Sequence, residues 1–257
     1  MTRICDIDKF MSEWAKPEYS EPWDNDGVML CGDFKAEVKK ALACLEINEK
    51  TVNAAVSSGV QLIITHHPFI FHPLKRLFGN EYMLFSQLTS AGISVLSYHT
   101  RLDAARGGVN DVLAERLGLC GITPFGNGEF PMGRTGISAR PMTVSELSEH
   151  IKSVLGCSVL RCSAVAGEAK TINTVAVLGG GGKDFIPDAA KAADAYVTGD
   201  LSHNAFITAR ELGITVFDAG HYYTENPVVG RIAERIAERF PEIAVKTADS
   251  ECPFTVF

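Results

Sequence analysis

Short aliphatic runs that stop abruptly at polar clusters constrain this chain most. QLIIT runs into His66 and His67, ISVLSY into His99, AYVT into Gly199 and Asp200, and ITVFDAG into His221. Brief apolar, partly β-branched runs bounded by turn residues form strands buried on both faces, and helical patterns between them make the sheet parallel. The spacing of Ile4, Ile7, Phe10, Met11 and Trp14 predicts a helix over 4–15, and a loop precedes GVMLCG. There follow a strand at 40–46, a helix at 49–58, a strand at 61–65, a helix at 80–90, a strand at 93–98 and a helix at 107–117. From Arg134 the order recurs, starting with a helix that Thr143 and Glu146 open at capping-box spacing. Strands near 158–162, 173–178, 195–198 and 214–218 alternate with helices near 184–192, 202–212 and 225–239. The expectation is an α/β fold of two repeats, 1–121 and 122–257, each a mostly parallel sheet flanked by helices. The Gly- and Pro-rich stretch CGITPFGNGEFPMG is expected to be the linker.

With 257 residues and 46% apolar content the chain can bury one large core or two smaller ones, which excludes disorder. No segment approaches the ~18 uninterrupted apolar residues of a membrane span, and the start MTRICDIDKF carries two aspartates and no long apolar stretch. A cytoplasmic protein is expected. Its seven scattered cysteines, without a C-x-x-C pair, fit reduced thiols. A net charge of −7 lacks the basic stripe that phosphate backbones require, so nucleic acid is not the expected partner.

Ligands of such sheets bind beyond the carboxyl ends of the strands. There Asp103 follows His99 by four residues, and Glu225 follows His221 by four. Adjacent strand residues point to opposite faces, so His66 and His67 can converge only where pleating has ended, and Pro68 ends it. Imidazoles with carboxylates suit zinc, iron or manganese, and the lack of nearby thiolates argues against a closed structural zinc site. His66, His67, Asp103, His221 and Glu225 are more donors than one tetrahedral catalytic ion takes, so two divalent ions per chain are expected. Each has a plainer reading alone. A strand-end histidine can bond a loop carbonyl, Asp103 can cap a helix, and Glu225 can favour a helix start. Their shared placement at equivalent strand ends in both halves favours the metal. His203, one residue after the N-cap candidate Ser202, is expected to be structural, and His72 and His150 to be surface residues.

In VAVLGGGGKDF a strand runs into Gly179 to Gly182, where backbone N–H groups can cradle an anion or glycines can permit close packing between the two halves. Both readings stand. The run matches neither the P-loop nor a dinucleotide fingerprint, so no organic cofactor is expected.

PWDNDGVMLCG, ITHHPFIF, YHTRLDAARGGVNDVLAERLGL, VTGDLSHNAF and DAGHYYTE together resemble, in order and across nearly the whole chain, the GTP cyclohydrolase 1 type 2 homologue or Nif-three-like family. The Asn25-Asp26-Gly27 element departs at Val28 from the more usual leucine. The resemblance implies two intertwined α/β repeats, a dinuclear metal centre between them and a ring-shaped hexamer. It places the metal ligands on His66, His67, Asp103, His221 and Glu225, with Glu225 similar to the bridging carboxylate and His99 close by as proton shuttle. Asp200 is a lesser candidate for substrate contact. The chain is of the family's short type, without the domain that longer members insert between the repeats. The function implied is a metal-dependent hydrolase acting on a nucleotide or related small molecule through a metal-bridging hydroxide. The alternative is a non-catalytic metal-binding or interaction protein, a metallochaperone or an oligomeric scaffold.

Overall fold

A computed structural model of the chain describes residues 1–164, 170–248 and 251–255. It divides into two compact units, each built from separated stretches of chain: Met1–Ala105 with Val228–Glu251, and Arg106–Pro227 with Cys252–Phe257.

The first unit holds α1 (Ile4–Trp14), β1 (Gly27–Leu30), β2 (Lys40–Cys44), α2 (Glu49–Ser58), β3 (Leu62–Thr65), α3 (Gly79–Ser90), β4 (Ser94–Ser97) and α4 (Thr100–Ala104). The second begins with α5 (Val109–Arg116), β5 (Cys120–Phe125), β6 (Gly133–Thr143), α6 (Val144–Leu155), β7 (Arg161–Cys162) and β8 (Thr171–Gly181). It continues through α7 (Ile186–Ala192), β9 (Ala195–Gly199), α8 (His203–Glu211), β10 (Thr215–Asp218) and α9 (His221–Glu225). Helix α10 (Pro227–Arg239) leads the chain back to the first unit, where β11 (Ala244–Thr247) completes the sheet.

The first sheet has the order β1-β4-β3-β2-β11, parallel throughout except for β1. Leu42, Cys44, Ile63 and Val95 alternate onto one face, where Val52 and Ala55 of α2 and Leu84 and Leu88 of α3 cover them. Neighbouring strand positions Ala41, Ala43, Leu62, Ile64 and Leu96 are also buried, which explains why these strands read as unbroken apolar runs. Asn48 caps α2 with its side chain, and Gly59 ends it in the left-handed region at φ +62°.

The second sheet, β5-β6-β8-β9-β10-β7, is mixed: β8, β9 and β10 run parallel, and the remaining pairings are antiparallel. One face packs Val175, Val177, Val197 and Phe217 against Leu113 and Leu117 of α5 and its C-terminal turn and Leu147 and Ile151 of α6. The other packs Ala176, Tyr196 and Val216 against Ile186 and Ala189 of α7 and Ala205 and Ala209 of α8.

The stretch expected to be a linker is instead a strand, a turn and the start of another strand. Thr123, Pro124 and Phe125 pair with Thr135, Arg134 and Gly133. Strand β5 is mostly exposed and so lacks the apolar signature of a core strand. The expected surface residue His150 is half-buried, its Nε2 2.9 Å from the carbonyl of Leu117. All seven cysteines are free thiols. Among the described residues no helix is long and apolar enough to cross a membrane.

Candidate functional site

In the first unit the tips of β3 and β4 bring three imidazoles together. Past β3, the His66 and His67 amides still bond the carbonyls of Cys44 and Leu45, at 3.4 and 2.8 Å, before Pro68 ends the pairing. The His66 and His67 rings lie 5.2 Å apart between centroids, and His99 lies 5.3 Å from the first and 5.9 Å from the second. His99 is the N-cap of α4, and its carbonyl accepts the Asp103 amide at 3.3 Å. The turn places an Asp103 carboxylate oxygen 3.8 Å from His66 Nε2.

Each of these rings uses Nδ1 on an oxygen. His66 Nδ1 lies 3.0 Å from the Tyr98 carbonyl, His67 Nδ1 3.4 Å from Glu46 and His99 Nδ1 2.8 Å from Asp24. An imidazole that gives its Nδ1 proton to an oxygen offers Nε2 as the ligating or proton-accepting nitrogen. Asp24 is the partner that sequence reasoning missed, because its WDNDG setting reads as a turn. Its second oxygen accepts from the amide and hydroxyl of Thr100. Burial pushes the Asp24 carboxyl up, but the hydrogen bonds from His99 and Thr100 outweigh it and bring its pKa down to about 2.

In the second unit His221 and Glu225 share one side of the single-turn helix α9, entered through Gly220 at φ +85°. His221 Nε2 is 2.9 Å from a Glu225 oxygen, and His221 Nδ1 is 2.7 Å from Asp200, which repeats the pattern of the first unit. Asp200 at the end of β9 has φ +53°, a positive value that among the described residues only glycines otherwise adopt. The expected site residue Asp200 therefore orients a histidine.

The glycine run now has a physical reason. Strand β8 extends through Gly181, so Gly179, Gly180 and Gly181 lie in the sheet rather than in a loop. The amides of Gly179, Gly180 and Gly182 donate to Asn110, Thr224 and Thr198 at 2.7, 3.0 and 3.0 Å, which commits them within the protein and removes the anion cradle. A Cβ on Gly179 would come within 2.9 Å of Glu225 Cγ, and one on Gly180 would overlap the Glu225 carboxylate. The missing side chains make room for Glu225. His203 is the exposed first residue of α8, whose N-cap Ser202 accepts from the Ala205 amide.

These strand-end donors define an α/β protein whose side chains could hold a metal ion. The chain belongs to the Duf34/NIF3 (NGG1p interacting factor 3) family, whose model matches residues 2–253. It is 32% identical over 248 residues to a GTP cyclohydrolase 1 type 2 homolog of Clostridium perfringens, covering 92% of each chain. It is 34% identical to one of Nostoc sp., covering 91% of each. Protein NIF3 homolog of Schizosaccharomyces pombe is 30% identical over 85% of this chain and 83% of that one. Among solved structures, reduced HcgD from Methanocaldococcus jannaschii superposes with a TM-score of 0.83 at 28% identity, covering 97% of this chain and 98% of the other. A Bacillus cereus protein related to NIF3 shares the fold with a TM-score of 0.90 at 20% identity, covering 100% and 99%.

Proposed function

We propose that the chain is a dinuclear metal-dependent hydrolase, acting on a nucleotide or related small molecule as the name of its GTP cyclohydrolase 1 type 2 relatives implies. His66, His67 and Asp103 of the first unit and His221 and Glu225 of the second would hold two divalent ions, zinc, iron or manganese. The observation that carries this reading is the common Nδ1 pattern: in four histidines an oxygen lies against that nitrogen, and in His66 and His221 the carboxylate of Asp103 or Glu225 lies on the Nε2 side. Two such ions would supply Lewis acidity and would bring the pKa of water towards neutrality. His99, fixed by Asp24, keeps Nε2 to take up or release a proton at the reacting atom. The other residues orient, bind and neutralise charge. The setting we infer is a cytoplasmic homohexamer.

A second reading, a metal-binding scaffold or metallochaperone without turnover, has its own observation in the exposed apolar residues Leu74, Leu77, Phe78, Tyr82 and Met83, since such a patch favours association with other proteins or copies. Metal analysis of purified protein should give about two ions per chain, and zero would sink both readings. Incubation with GTP and a nucleotide panel then separates them. Turnover that His67→Ala abolishes supports the hydrolase, whereas no turnover of any compound leaves the scaffold.

A further inference from the structure

Two aromatic side chains flank His99. The Trp23 ring lies 6.3 Å from the His99 ring at 76°, the Phe71 ring 6.1 Å at 86°, and Trp23 and Phe71 are 6.2 Å apart at 58°. Trp23 is 60% exposed and Phe71 39%. A single exposed aromatic needs no explanation, but two partly exposed rings that turn towards one histidine form a corner, with the His72 ring 4.7 Å from Phe71 beside it. Hydrogen bonds hold the corner in place. Asp24, next to Trp23, grips His99 and Thr100, and Asn25 donates to the carbonyl of Ile70, next to Phe71. The Glu21 amide bonds Thr100 Oγ1 at 3.0 Å, so the loop that carries Trp23 is fastened on both sides. A fixed aromatic corner loses little freedom when a flat ring stacks on it.

We infer that Trp23 and Phe71 are a ring-recognition subsite that receives the heteroaromatic base of a nucleotide and lays it beside His99. The inference rests on the reading of this site as acting on a nucleotide, and deepens it by naming the residues that select the base. Stacking tolerates any base, because each has a π face, so the corner selects for a flat ring and leaves the choice among bases to other contacts.

Calorimetric titration of the intact, metal-loaded protein with guanosine 5′-monophosphate, adenosine 5′-monophosphate and ribose 5-phosphate tests this. Both mononucleotides are expected to bind more tightly than the sugar phosphate. Trp23→Leu and Phe71→Leu should each weaken mononucleotide binding by about 5- to 150-fold while leaving ribose 5-phosphate unchanged. Trp23→Phe, which keeps a ring, should retain most of the affinity. The chain has two tryptophans, and Trp14 is buried, so quenching of the exposed Trp23 gives an independent signal in the wild type. Equal mononucleotide affinity in Trp23→Leu and wild type, or no preference for mononucleotides over ribose 5-phosphate, overturns the inference. A protein that binds mononucleotides through Trp23 but turns over nothing fails as a hydrolase and keeps the subsite. Turnover confined to non-aromatic substrates keeps the hydrolase and removes the subsite.

Discussion

The histidine cluster of the first unit and the His221–Glu225 pair of the second engage the same ring nitrogen, Nδ1, by different means. In the first, a backbone carbonyl and two carboxylates do the positioning: the Tyr98 carbonyl, Glu46 and Asp24 each take one Nδ1, and the rings crowd at 5.2 to 5.9 Å. In the second, Asp200 takes Nδ1 and Glu225 lies 2.9 Å from Nε2, in space left by the side chains that Gly179 and Gly180 lack. A site can thus be specified as strongly by vacant strand positions as by the groups that bind. The glycines then carry the larger penalties for change.

Gly180→Ala is the severest way to break that contrast. The new Cβ would overlap Glu225 on a backbone held at φ +66°, so overpacking and backbone strain together should destabilise the fold by about 2–4 kcal/mol. Its neighbour Gly181 has nothing within 4 Å of a built Cβ, and Gly181→Ala should stay within about 0.5 kcal/mol of wild type. Urea denaturation of the two variants, with metal content measured alongside, gives the comparison. Equal stability of the pair would show that Glu225 does not depend on the vacancy.

That asymmetry also explains what could be read from the sequence. The buried parallel strands β2, β3, β4, β9 and β10 were legible because burial on both faces leaves unbroken apolar runs, and the donors were legible because they stand where those runs stop. Strand β5 is mostly exposed, and β11, also mostly exposed, pairs with a strand distant in sequence, Ala244–Thr247 with Lys40–Ala43, so no apolar run announces either. Glycines signal a loop by propensity, and only the packing of Glu225 and Thr224 against β8 turns Gly179 and Gly180 into strand residues. Asp24 was hidden for a similar reason, since an aspartate among turn residues acquires its role only when Thr100 and His99 arrive from far along the chain.

Asp24→Asn sharpens the comparison from the first unit's side. Asp24 is held at about 2 against an ordinary value of 3.8: burial raises it, and the donors His99 and Thr100 lower it further than burial lifts it. A depressed carboxylate contributes stability that is complete above its unfolded value and is lost as pH falls through the folded one. The advantage of wild type over Asp24→Asn, about 1–2 kcal/mol at neutral pH after discounting for solvent screening, should therefore shrink between pH 4 and 2. Neighbouring Asp26 shifts the opposite way, raised by burial and by the Asp24 charge against the pull of Ser20 and Arg101, so its opposition to the acid loss is weaker in Asp24→Asn. A gap that stays constant across that window would remove Asp24 as the charged partner of His99.

Asp200→Gly has little effect on stability and separates two properties that usually change together. The residue stands at φ +53°, where a glycine carries no steric penalty, so relief of strain roughly balances the extra freedom of the unfolded chain and stability should move by less than about 1 kcal/mol. The same change removes the acceptor 2.7 Å from His221 Nδ1, and loss of an orienting partner lowers metal affinity by about 10- to 100-fold. Asp200→Asn, which tolerates the same backbone and can still accept a hydrogen bond, should fall between Gly and wild type. Chelator competition with zinc reads the affinity, and thermal melting of the metal-free protein reads the stability. If Asp200→Gly binds zinc as tightly as wild type, the second unit fixes its histidine by glycine packing alone, and the resemblance between the two donor sets ends at the shared choice of nitrogen.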